Sequence, residues 1–365
     1  MYKKMLLNHF AGLSLLAISM AAHASAPEEA RWQAFNLEAI EQHILPNYQA
    51  LQAQSQKLAT DVDSYCQLGT DQALNSAREQ FKQAQQAWQK AQHIQFGPVT
   101  LLMRNFSLQY WPDKKNLAGK QLNLLLKEAL ASDTKSSFDN EFFADASVAV
   151  KGYPAIERLL FDKKMLEQLA TNSSYCTLLQ AISQHVAQNT TAIVNEWQAE
   201  LTNYQQYQED GVYESAAEAA TVMLKALVEP IEAISDAKLA VPLGDSLDRM
   251  RWRKSESWRS GQSIENIRTN LASLHHLYSG LKSADIEQLL IESAQAPLAA
   301  SIEQQFSQVE ASLAEVVEPV NMKYQQEQFD HLVQVQQQLK NLSNSLIDAM
   351  EPLDISLGFN RRDGD

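Results

Sequence analysis

Apolar residues recur three and four positions apart along almost the whole chain, the spacing that gathers them on one side of an α-helix. Tyr175, Leu178, Leu179, Ile182, Val186, Ile193 and Trp197 form one such stripe; Phe329, Leu332, Val335, Leu339, Leu342, Leu346 and Met350 form another. Glutamine fills many of the positions between, and Gln80, Gln83, Gln85, Gln86 and Gln89 are expected on exposed helix faces. No alternating pattern of strand length occurs. The pattern predicts an all-α chain with helices near 28–44, 46–64, 71–95, 114–130, 154–169, 174–205, 214–237, 255–279, 284–311 and 323–350.

A short echo suggests internal duplication. Leu37, Ala39, Ile40, Gln42 and His43 are matched by Leu179, Ala181, Ile182, Gln184 and His185, 142 residues later, and Asn47 by Asn189. Repeats of this kind mark duplicated supersecondary units. Two helical bundles are expected, 27–170 and 171–355, each long enough for its own core, followed by a tail over 356–365.

Composition narrows the class. Eleven Gly and ten Pro in 365 residues are too few for a turn-rich β fold, and 45% hydrophobic residues are too many for a disordered chain. A formal charge of −14 argues against nucleic acid and anionic membrane surfaces as partners. Residues 1–24 have the form of an export signal: Lys3 and Lys4, an apolar run over Ala11–Ala22, and small residues at Ala22 and Ala24 before the cut. No Cys follows the cut to carry a lipid, and no later segment has the length and apolarity of a membrane span, so a periplasmic location is expected. In that oxidising setting the two cysteines, Cys66 and Cys176, are expected to pair.

The patterns of common catalysts are missing: no His-Glu-x-x-His, no Gly-x-Ser-x-Gly, no phosphate-binding glycine loop. His43 and His185 are expected to make structural hydrogen bonds, and His275 and His276, about 100° apart around a helix, do not form a two-ligand site. Three irregular segments stand out. Phe96-Gly97-Pro98 leads through Arg104 to Trp111-Pro112-Asp113, where Asp113 is placed to cap the helix beginning at Lys114. Residues 249–261 gather Arg249, Arg251, Arg253, Lys254 and Arg259 around Trp252 and Trp258, an island fit either for a ligand's carboxylates or for acidic side chains between the bundles. The third is Lys151-Gly152-Tyr153-Pro154-Ala155-Ile156-Glu157, followed by Arg158, Leu159, Leu160 and Phe161.

This third segment resembles the Gly-x-His-x-x-Glu signature of imelysin-like proteins, and Trp111–Asn116, Glu256–Gly261 and Leu357–Asn360 agree with it. The resemblance implies a duplicated pair of four-helix-bundle-like halves, export, and a link to bacterial iron uptake. Here Pro154 stands at the motif His, a good residue for a first helical turn but no ligand. Glu157 is then the one metal-ligating residue left for iron or another divalent ion, and an Arg or Lys is expected to hold its carboxylate instead. The expected function is a non-catalytic binding or accessory component of iron acquisition, working with iron-uptake or envelope proteins. The site is expected where the halves meet, around Glu157, Arg104, Trp111, Asp113, Arg251, Trp258 and Arg259. The alternatives are a partner-binding protein with no metal, or the metallopeptidase that the family's older label suggests.

Overall fold

The computed structural model describes residues 25–131, 138–170, 172–317 and 326–358; the expected signal segment and most of the tail lie outside them. Every regular element among the described residues is helical. In chain order they are α1 (Glu29–Ala39), a π turn (Ile40–Ile44), α2 (Leu45–Leu68), α3 (Asp71–Ala91), α4 (Arg104–Leu108), α5 (Leu117–Ala131), α6 (Asn140–Asp145), α7 (Tyr153–Phe161), α8 (Lys163–Leu169), α9 (Ser173–Gln205), α10 (Ala216–Ala233), a second π turn (Ile234–Ala240), α11 (Val241–Leu243), α12 (Ser263–Ser279), α13 (Ile286–Glu292), α14 (Ala296–Ala314) and α15 (Gln326–Asp348). No helix among them is long and apolar enough to cross a membrane.

Several helix boundaries differ from the sequence reading, each for a local reason. The 28–44 and 46–64 helices are one rod, because a five-residue π turn carries the chain through Pro46. The 154–169 helix breaks at Asp162, whose extended backbone ends α7 and whose carboxylate accepts from the Lys164 N–H at 3.0 Å to start α8. The 284–311 helix breaks at Ala294, held at φ 59°, and restarts with Pro297 in the first turn of α14. Residues 255–262 do not extend α12: the backbone turns left-handed at Ser257 and Gly261, and the helix begins at Ser263. Gln85 and Gln89, expected to face solvent, are fully buried, because α3 is enclosed by α2, α7 and α12.

The helices pack in two sets around a continuous core. α2, α3, α7 and α9 form one, with α9 lying along α2 although it follows residue 170; α10, α12, α14 and α15 form the other, with α1 against α10. Tyr48, Trp88 and Trp197 are among the fully buried side chains of the first set, Tyr278 and Phe306 of the second. The two sets meet chiefly where α3 packs on α12 and α1 on α9. On α12 the adjacent histidines diverge as helix geometry requires. His275 bridges Glu303 at 2.9 Å and Glu310 at 3.0 Å on α14, while His276 turns to His43 on the first π turn.

Cys66 and Cys176 form a disulfide with Cα atoms 5.6 Å apart, tying the end of α2 to the start of α9. It closes a loop with a sequence separation of 110. Reduction should therefore lower stability by about 2–5 kcal/mol, most of it through the unfolded chain. Urea denaturation with and without dithiothreitol measures this, and the doubly substituted Cys66→Ser, Cys176→Ser protein should match the reduced one. Coincident curves would show that the bridge adds nothing beyond the packing of α2 on α9.

Candidate functional site

The third sequence segment forms the floor of a cleft of about 640 Å³. Gly152 precedes α7, and no other residue fits there: a Cβ would lie 2.1 Å from the Ser107 carbonyl oxygen and 2.3 Å from that of Leu108. Pro154 then occupies the first turn of α7, where its missing N–H leaves no bond unmade. Glu157, one turn on, is 6% exposed. Its Oε1 accepts from the backbone N–H of Ser260 at 2.9 Å and from the Ser260 hydroxyl at 2.8 Å. Burial raises the Glu157 pKa; the two Ser260 bonds and the charges of Arg259 and Arg158 pull the other way without cancelling it. The expected Arg or Lys partner is thus corrected: the donors come from a serine, and both guanidinium groups act through their field.

The rest of the lining is basic and aromatic. Arg158, Arg253, Arg259, Lys114 and Lys254 line the cleft against only two carboxylates, Asp113 and Glu157. Asp113 is spent on the helix behind it, its two oxygens accepting from the N–H groups of Leu117 at 2.6 Å and Ala118 at 2.9 Å. Capping begins at Leu117 rather than Lys114, since Lys114 and Lys115 form a turn. Trp258 carries a guanidinium stack: the Arg259 Cζ lies 4.4 Å from a ring centroid and the Arg253 Cζ 5.4 Å. Trp111, Tyr110 and Tyr153 add further ring surface. Gln85 also lines the cleft, fully buried, with neither amide atom hydrogen-bonded.

Of the residues expected at the site, the fold brings together Tyr153, Pro154, Glu157, Trp111, Asp113, Trp258 and Arg259. Two do not belong. Arg104 is buried away from the cleft, its guanidinium on Glu196, with Nη2 at 2.8 Å from Oε1, and on the Pro98 carbonyl at 3.0 Å. Such a buried group needs both partners where it stands. Arg251 is exposed and bonds to the carbonyl oxygens of Asp248 and Met250, so it caps its own loop.

Sequence reasoning missed the polar core behind the cleft. Lys238, on the second π turn, is buried with its Nζ 2.7 Å from Glu256 Oε2 and 2.6–2.8 Å from the side-chain oxygens of Gln89, Gln92 and Asn270. Beside it, His43 reaches His276 through Nδ1 at 3.0 Å and His93 through Nε2 at 2.9 Å. Burial keeps these rings neutral, holding His93 down to about 3 and His43 well below the usual range. Each His43 nitrogen faces a different ring, so the three form a chain rather than a tripod. His185 stacks on Phe143 at 4.3 Å and bonds to Asn189 at 3.0 Å.

The donor set does not suit a bare metal ion. Pro154 offers no ligand, one Glu157 oxygen holds two hydrogen bonds, and Arg158 and Arg259 repel a cation from the remaining carboxylate. Among the described residues no three His, Cys, Asp or Glu side chains converge in the manner of a metal site.

An all-helical protein with a cation-lined, tryptophan-walled cleft over a Gly-x-x-x-x-Glu helix start is the class these features define. The chain belongs to the imelysin family, whose model, described as Imelysin, matches residues 44–346. Iron-regulated protein A of Synechococcus elongatus is 21% identical over 294 residues, spanning 77% of this chain and 75% of that protein. In fold the chain is similar to an imelysin-like protein from Psychrobacter arcticum, with a TM-score of 0.72 at 20% identity over 92% of this chain and 99% of that one. A protein from Parabacteroides distasonis aligns with a TM-score of 0.75 at 15% identity, covering 90% and 96% of the two chains.

The Glu157 contacts set a pH dependence. With its folded pKa above 4.5, the native state holds the proton longer than the unfolded chain, so this group favours folding at low pH and that contribution fades as pH rises through the folded value. Ser260→Ala strips the hydroxyl donor from the ionised carboxylate and should cost about 1–3 kcal/mol at neutral pH. The deficit should shrink toward pH 4.5, where a protonated carboxyl needs the donor less. Urea denaturation at about pH 4.5 and 7.5 tests this; a pH-independent deficit would show that the bond does not serve an ionised Glu157.

Proposed function

We propose that this imelysin-family protein is an exported, non-catalytic binding component of bacterial iron acquisition, and that its cleft takes a carboxylate-rich anion such as an iron chelate. The charge of the lining carries the reading: three arginines and two lysines surround a motif whose metal-binding His is Pro154. Arg forks pair with carboxylates in two-point contacts, and Arg158 and Arg259, which are part-buried, hold an anion more strongly than the exposed Arg253. Arg259 and Arg253 are already held on the Trp258 ring, so little side-chain freedom is lost on binding. Gln85 supplies a neutral amide at the same wall.

Export rests on the form of residues 1–24 and is supported by the Cys66–Cys176 bridge, since disulfides persist in oxidising compartments. The iron link rests on family membership and on the name of the Synechococcus relative. The tandem origin of the helices, suggested by the Leu37–His43 and Leu179–His185 echo, belongs to the same reading.

Calorimetric titration decides the ligand class. Ferric citrate should bind, and Arg259→Ala should weaken it by about tenfold, or 1.4 kcal/mol. Ferrous and zinc ions alone should bind weakly or not at all. Tight binding of a bare ion that Glu157→Ala abolishes would overturn the reading. The iron link is tested separately by protein abundance in fractionated cells with and without iron starvation, where unchanged abundance would count against it.

A further inference from the structure

A second cavity, of about 460 Å³, lies between α10 with its π turn, the end of α3 and the 95–112 stretch. Gln109, Trp111 and Pro112 line both it and the cleft, so this stretch is the partition between them. The two spaces differ in chemistry. Trp88, Phe96, Phe106, Ala226, Pro230 and Ile234 give the second an apolar wall.

Its buried polar groups offer no unmatched charge. Lys238 lines it, but the ammonium is already neutralised by Glu256 at 2.7 Å and surrounded by the oxygens of Gln89, Gln92 and Asn270. His93 is neutral, its pKa pushed down to about 3 by burial. Lys225 and Glu229, the other two charged residues of the lining, are of opposite sign. With the Lys238–Glu256 pair neutral and Lys225 set against Glu229, the lining carries no net charge, so a charged ligand would lose its water here for little return, whereas the cleft on the other side of the partition is rich in cations.

Three buried polar atoms of the lining residues lack a well-aligned hydrogen-bond partner; one of them, His93 Nδ1, is turned to the Lys90 backbone, which leaves two. Trp88 is 1% exposed and its indole Nε1 donates to nothing. Gln109 is 7% exposed; its amide nitrogen donates to Glu256 at 2.8 Å, and its Oε1 accepts from nothing. Buried donors and acceptors in native proteins are nearly always paired. One unpaired donor and one unpaired acceptor on residues of the same apolar cavity define a complement with one acceptor and one donor. The volume falls within the roughly 300–1,000 Å³ of small-molecule sites.

We propose that this cavity is a second ligand site, separate from the cleft, for a neutral and mainly apolar ring compound that carries one hydrogen-bond acceptor and one donor. The indole N–H of Trp88 and the amide oxygen of Gln109 fix its orientation, and the partition residues place it next to whatever the cleft holds.

The test uses two probes with one ring system, 1-naphthol, which is neutral, and 1-naphthoate, which is charged, each titrated calorimetrically into the full protein. The naphthol should bind at one site, and the naphthoate should bind that site at least tenfold more weakly. Ala233→Trp, at an exposed helix position that lines the cavity, fills the space and should abolish naphthol binding. Trp88→Phe keeps the ring, removes the donor, and should weaken binding about three- to tenfold. Arg259→Ala, across the partition, should leave naphthol affinity unchanged while weakening ferric citrate in the cleft, so the two readings fail separately. Thermal unfolding confirms that each variant is folded. The proposal is overturned if naphthol does not bind, if Ala233→Trp leaves its binding intact, or if both probes bind the cavity equally. It is also overturned if Leu102→Ser, on the exposed loop outside the cavity, removes the binding instead.

Discussion

The buried ion pair between Lys238 and Glu256 is the contact on which the rest of the molecule's polar architecture depends. The two side chains are 7% and 1% exposed, and their charged atoms are 2.7 Å apart. Removing one member would strand a buried charge at a cost of several kcal/mol, so each group demands further donors or acceptors. The ammonium has the amide oxygens of Gln89, Gln92 and Asn270, and the carboxylate accepts from Gln109, Gln92 and Asn266. These residues and the pair itself come from α3 with its C-terminal cap, α12, the loop before α5, the second π turn and the 255–262 stretch that carries Glu256. Satisfying a single pair of charges therefore fixes the relative position of five chain segments.

The functional geometry follows from that constraint. Glu256 opens the non-helical stretch that places Trp258, Arg259 and Ser260 over α7, and Ser260 then supplies both donors to Glu157. Gln109, bound to the other oxygen of Glu256, anchors the partition between the cleft and the apolar cavity. The two π turns set the remaining polar residues in place. In the first, the Leu45 N–H reaches back five residues to Ile40; in the second, the Val241 N–H reaches Asp236. Each ends two residues before a proline, Pro46 or Pro242, which has no N–H to give the carbonyl four residues earlier. The wider turn absorbs that loss, and it turns His43 and Lys238 inward on otherwise apolar helices.

Much of this was legible in the sequence and some was not, for identifiable reasons. The stripes Tyr175–Trp197 and Phe329–Met350 gave the helical fold because burial of an apolar face repeats every turn. Gly152, Pro154 and Glu157 marked the cleft floor because their requirements are local: a close backbone approach, a first helical turn, one carboxylate. Gln85 and Gln89 were misplaced because a glutamine on a helix carries no sign of what packs against it, and only enclosure of α3 on several sides buries them. Lys238 was invisible for a related reason, since a π turn shifts the face by one residue and defeats a 3.6-residue pattern. Arg104 drew attention as a cation in an irregular loop, yet its partner, Glu196, is 92 residues away in sequence. No local spacing could pair them.

The exchange of one motif residue has consequences beyond the loss of a ligand. A His at the position of Pro154 together with Glu157 would present a donor pair on one face of α7, and a cation between them would balance the carboxylate. With proline there, the carboxylate is balanced instead by neutral dipoles from Ser260 and by the field of Arg158 and Arg259. Those two guanidinium groups also feel Asp162, 3.9 Å from the Arg259 Nε, and Arg158 feels Asp113, while burial lowers the pKa of both. The motif carboxylate thus sits among guanidinium groups rather than beside a His, in a lining with five cations and two carboxylates. On the proposed reading it is an anion, rather than a bare cation, that answers such a lining.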